Sequence, residues 1–132
     1  MALLENIGTY LASEIGSLTL GTNLFLGRLP DAPDTCVALF EYGGEAPRSL
    51  MGGSSTPSLE QPRVQVLTRA VAYSAARTLA GQIWTALEEI LDENLSGVRY
   101  NRVAAVQSVF ALERDSQDRI ILAQNFAVIK AY

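Results

Sequence analysis

Residues 119–130 read Arg119-Ile-Ile-Leu-Ala-Gln-Asn-Phe-Ala-Val-Ile-Lys130. In an extended chain successive side chains point to opposite faces. The even positions then carry Ile120, Leu122, Phe126 and Val128, and the odd positions Ile121, Ala123, Ala127 and Ile129. A strand apolar on both faces belongs inside a sheet and needs cover on each side. Before it runs a second β-rich stretch, Val103 to Glu113. The two are joined by Arg114-Asp-Ser-Gln-Asp118, a hairpin-sized turn.

Toward the N-terminus the pattern changes period. From Tyr73 to about Asn94, residues Ala76, Leu79, Ala80, Ile83, Leu87, Ile90 and Leu91 recur at helical spacing, with Trp84 beside the stripe. Arg77, Gln82, Glu88 and Asp92 fall on the wet side; Ser74 is the candidate cap and Gly97 marks the exit. Pro62 to Arg69 alternates as a strand, and Thr35 to Tyr42 is another, apolar on both faces. Asn23 to Arg28 reads as a short strand stopped by Pro30, and Asp31 to Asp34 as a turn. Residues 2–18 place Leu4, Ile7, Leu11, Ile15 and Leu18 on one stripe of an amphipathic helix.

Between the strands at 35–42 and 62–69 lies a Gly-, Ser- and Pro-rich stretch, residues 43–61, read as a long loop. A loop of that length inside a compact domain is normally functional or disordered. Its apolar residues Leu50, Met51 and Leu59, with Arg48, are the candidate partner contacts. The order helix, two strands, loop, strand, helix, hairpin implies an α+β fold. The expected sheet has about five strands, antiparallel or mixed, and two helices cover one face. At 132 residues the chain fits a single domain spanning 1–132.

Two helices leave the second sheet face open. Either the long loop lies over it, or identical neighbours bury it; the apolar area favours neighbours, since monomers rarely expose such a patch.

Chemistry is not proposed by these residues. Apolar content is 48%, charged content 18%, and ten basic against fourteen acidic residues give a net charge of −4. That balance describes a globular protein with no basic grip for nucleic acid, so any DNA nearby only passes through. The chain has no His, which excludes His-containing zinc sites and His-dependent triads. Cys36 stands alone in an apolar run and reads as a buried small hydrophobe. The carboxylates at 31–34, 88–93 and 113–118 read as turn residues or a solvated helix end, not as an acid–base pair. Gly43-Gly44 and Gly52-Gly53 lack the Lys and the strand-to-helix setting of a phosphate loop. The expectation is no enzyme, no cofactor and no metal. With no signal-peptide pattern and no apolar stretch long enough to span a bilayer, no membrane role is expected.

The run Phe110-Ala-Leu-Glu-Arg-Asp-Ser-Gln-Asp-Arg119, followed by Asn125-Phe126, resembles the tail terminator and minor capsid proteins of long-tailed bacteriophages. Those end in a hairpin with Arg-Asp, a short turn, another Arg, then a strand with Asn-Phe. Here Arg114, Asp115, Arg119, Asn125 and Phe126 match, and the resemblance implies that they form the hairpin motif or a subunit interface. It also implies a structural virion protein, assembled in the host cytoplasm, at the head–tail junction. Such a protein forms a ring, commonly hexameric, on the last ring of the major tail tube protein, ends tube growth and meets a head-completion or stopper protein. Two other readings stay open: a head-completion or stopper protein itself, or a cytoplasmic small-ligand or regulatory domain.

Overall fold

The computed structural model describes residues 2–48 and 59–131. Its elements run α1 (Leu3–Glu14), β1 (Leu24–Leu26), β2 (Cys36–Arg48), β3 (Leu59–Ala70), α2 (Tyr73–Glu88), β4 (Leu91–Leu95), β5 (Val98–Ala105), β6 (Phe110–Arg114) and β7 (Ile120–Ala131). The strands form one seven-stranded sheet in the order β1-β2-β3-β7-β5-β4, with β6 also paired to β7. All pairings are antiparallel except β1 with β2. The class is α+β, as the residue pattern implies, but the strand count is seven rather than about five.

Two local departures account for the difference. The stretch 103–113 is not one strand. It breaks after Ala105, where the backbone N–H of Ala105 donates to Glu88 Oε1 at 2.8 Å, and resumes as β6. Both pieces pair with the same edge of the twelve-residue β7, β5 along Phe126–Lys130 and β6 along Ile120–Ala123. Residues 91–95, expected to finish the second helix, instead form β4. Ser96 (φ 52°) and Gly97 (φ 84°) are both left-handed, the geometry of a tight hairpin turn. Asn94 Oδ1 accepts the Gly97 N–H at 2.8 Å. Pairing with β5 wins over a weak helical preference.

The helices differ at their ends as well. The first stops at Glu14, four residues early, although Ile15 and Leu18 remain buried. The second is preceded by Ala72 with no side-chain cap, so Ser74 lies inside it.

Two helices, each roughly 10 Å across, cannot blanket seven strands spaced roughly 4.8 Å apart. The sheet therefore curls. Helix α1 packs on β1 and β2 at one end of the strand order and on β4 at the other, while α2 lies over β3, β7 and β5. The core between them joins Ile7, Leu11, Ile83 and Leu87 to Val37, Leu39, Val64, Val66, Phe126 and Val128. Each such side chain contributes about 1.5–3 kcal/mol on full burial. Buried polar contacts tie the layers, Asn6 Nδ2 donating to the Tyr100 hydroxyl at 3.0 Å and Gln124 Nε2 to the Ala80 carbonyl at 2.9 Å.

Candidate functional site

Three features of the surface stand out. The first is an arm. The stretch 43–61 is not all loop: β2 continues to Arg48 and β3 begins at Leu59, pairing Glu45 with Gln61 and Arg48 with Leu59 through two register shifts. Along β2, burial ends at Phe40, and every residue from Glu41 to Arg48 is exposed. Strands rise roughly 3.3 Å per residue, so the exposed stretch of β2 runs on well beyond Phe40 as an edge of the sheet, while its partner β3 stays paired with β7 on its other side back to Leu59. Arg48 is exposed on it, and Leu59 is half-buried between Arg48 and Ala131. Leu50 and Met51 lie outside the described residues.

The second feature centres on the turn between β6 and β7. Asp115 Oδ1 accepts the N–H groups of Gln117 and Arg119, each at 3.0 Å, and Oδ2 takes Arg119 Nε at 2.8 Å. Those contacts, led by the Arg119 N–H, hold the Asp115 carboxyl below its usual range. Arg114 donates to the Asp118 carbonyl at 2.9 Å. The sequence places these charges on an exposed corner, yet the Arg119 side chain is only 3% exposed. Its guanidinium also meets Asp34 Oδ1 at 3.2 Å, the Asp31 carboxylate at 3.8 Å and the Asp31 carbonyl. Burial alone would weaken its charge, but Asp115 and Asp34 outweigh that and raise its pKa. Asp31 and Asp34, read from the sequence as ordinary turn acids, are thus partners missed. Nothing in the spacing of residues 31, 34 and 119 announces that they meet.

The third feature is the outer sheet face, away from the helices. Register pairs Cys36 with Arg69 and Arg69 with Ile121, and next to them Ala38 with Leu67 and Leu67 with Ala123. Here Cys36, Ala38, Arg69, Ile121 and Ala123 are buried. The Asp31–Asp34 segment crosses this end, and Arg69 donates to its Pro33 and Asp34 carbonyls at 2.7 and 3.2 Å. Burial pushes the Cys36 thiol pKa up, as expected of a packed hydrophobe. A belt of amides follows, Gln65 Nε2 to Asn125 Oδ1 at 3.2 Å and Asn125 Nδ2 to Gln107 Oε1 at 3.4 Å. Beyond it the face opens, and Tyr42 and Ile129 are 38% and 36% exposed. Cover is therefore divided: a short segment hides one end, and the other end is bare. Phe126, by contrast, is fully buried among the core residues, so within the subunit it holds the fold together.

Among the described residues no three His, Cys, Asp or Glu side chains are grouped to hold a metal ion. No described helix is long and apolar enough to cross a membrane.

A family profile described as "Bacteriophage tail terminator protein" matches residues 10–132. Among solved structures, a chain of the "Virion of native gene transfer agent (GTA) particle" aligns with TM-score 0.59 at 17% identity, covering 99% of this chain and 96% of that one. A second solved chain aligns with TM-score 0.61 at 8% identity, covering 100% and 97%. At these identities the likeness is one of fold. No curated protein matches the sequence.

Proposed function

Because the chain belongs to the bacteriophage tail terminator family, and so is a structural protein of a phage tail, we propose that it assembles as a ring on the end of the tail tube. The ring, hexameric as the resemblance implies, ends tube growth and offers its other side to the head-completion protein, with DNA passing through its channel. The observation that carries this reading, beside the family match, is the arm: a β ribbon whose residues 41–48 are all exposed. The outer strand of this ribbon buries little within the subunit. Such a ribbon suits a contact made outside the subunit, and its last described residues Arg48 and Leu59, with Leu50 and Met51 of the sequence between them, are the proposed contacts with the tube protein. Of the hairpin motif, Arg114 is exposed and Asp115 and Asn125 are half-buried, and these three are the part proposed to meet a neighbouring subunit, whereas Arg119 and Phe126 support the fold from within.

Deleting residues 46–56 tests this. Closing a shorter loop changes the entropy cost only slightly, so the expected protein still folds and forms its ring. Phage carrying the deletion should give overlong or headless tails. Normal infectious particles would overturn the role assigned to the arm.

A further inference from the structure

The exposed half of the outer sheet face and the groove between the helices lie on opposite sides of the sheet, and, among the described residues, one is bordered by unpaired Arg63 and Arg102, the other by unpaired Glu14 and Glu89. On the sheet, Tyr42 pairs with Arg63, Arg63 with Ala127, Ala127 with Ala104, and Ile129 with Arg102. Directly paired residues point to the same side, so Tyr42, Arg63, Ala127, Ile129 and Arg102 form one patch. Arg48 extends it along the arm with Glu45 between, and the acid beside Arg102, Asp92, is already paired with Arg99 at 3.3 Å. On the helix side, the end of α1 and the outer flank of α2 enclose an open groove of about 730 Å³, lined by Glu14, Gly16, Gly81, Thr85 and Glu89 among others. Glu14, Glu93 and Glu89 all act on Tyr10, which burial and these carboxylates push up to about 12. Two acids, Glu14 and Glu89, thus line this groove; the cation on α2's exposed surface, Arg77, borders a different hollow beside Trp84. Among the described residues, Arg63, Arg102, Glu14 and Glu89 form no ion pair within the subunit.

We infer that the bare sheet patch of one copy docks on the α1–α2 groove of a second copy, with Arg63 and Arg102 facing Glu14 and Glu89. The inference rests on the ring reading and deepens it by naming the two surfaces that meet. Charge complementarity selects the partner: a basic, partly apolar patch meets an acidic groove. Symmetry supports it too. Different patches on opposite sides of a subunit make a head-to-tail contact, which closes into a ring when the rotation allows. A face-to-face pair would instead set Arg63 and Arg102 against their own copies. Gly16 and Gly81 have open space where a Cβ would stand, so Tyr42 and Ile129 can approach the groove backbone closely.

Sedimentation of purified full-length protein tests the pairing. One variant reverses the sheet side, Arg63→Glu with Arg102→Glu, and the other reverses the groove, Glu14→Arg with Glu89→Arg. Each alone should associate on the order of tenfold more weakly, or worse, since exposed ion pairs turn into repulsions. Mixed in equal amounts, or combined in one chain, the reversals should restore the ring. The milder Arg63→Gln with Arg102→Gln should weaken association without added repulsion, and circular dichroism reports whether each variant is folded. Association unchanged in either reversal, or no recovery on mixing folded variants, overturns this interface while leaving the ring intact. A wild-type chain that stays monomeric at tens of micromolar overturns the ring reading and this interface together.

Discussion

Arg119, just before β7, reaches Asp34, 85 residues earlier in the chain, with Nη1 3.2 Å from Oδ1. That contact pins the segment between β1 and β2 across the end of the sheet where Cys36 lies fully buried. Arg69 grips the same segment only through its Pro33 and Asp34 carbonyls. Asp34 is thus the side chain that locks the segment down, and Cys36 is a built-in reporter of whether it is closed.

Asp34→Ala should leave the fold in place and loosen the segment. The expected result is labelling of Cys36 by a thiol reagent several-fold faster than in the wild type, whose thiol is both shielded and held protonated. Equal labelling rates in the two proteins would show that the segment closes without its carboxylate.

The Asp115 turn predicts an acid dependence. Its carboxyl titrates lower in the folded chain than in the unfolded one, so the folded state binds that proton more weakly. The resulting stability is fully present above the ordinary carboxylate value, about 3.9, and is lost as pH falls through the lower folded value. Asp115→Asn should melt at a lower temperature than the wild type at neutral pH and show a shallower loss of Tm below about pH 4. Parallel Tm curves for the two proteins would remove Asp115 as the cause.

The arm makes different demands on its adjacent glycines. A Cβ on Gly44 would clash with the Gln61 carbonyl oxygen and stand 3.0 Å from Pro62 Cα, whereas one on Gly43 would meet nothing within 4 Å. Gly44→Ala should therefore force the two strands of the arm apart and cost about 1–3 kcal/mol. Gly43→Ala should stay within about 0.5 kcal/mol of the wild type. Urea unfolding of both variants checks the contrast, and equal midpoints would mean that the ribbon yields freely.

The residues of β7, α2 and the Asp115 turn were legible in the sequence because each is encoded by neighbours. A two-sided apolar run makes a central strand, and β7 does pair on both edges. Helical spacing buries Leu79, Ile83 and Leu87 on one side of α2, and an Asp at the start of a turn finds N–H groups two and four residues on. Tertiary structure alone decided the rest. Leu91 to Leu95 continue a helical pattern but find the edge of β5, and strand pairing outweighs a preference worth tenths of a kcal/mol per residue. Gly43, Gly44 and Pro47 look like loop, yet β3 offers a partner strand along which they extend. Arg119 reads as a surface charge because no local pattern records that Asp31 and Asp34 lie above it. Periodicity reports which side of an element is buried; it carries no information about which distant element does the burying, and that is set by how the sheet curls around its helices.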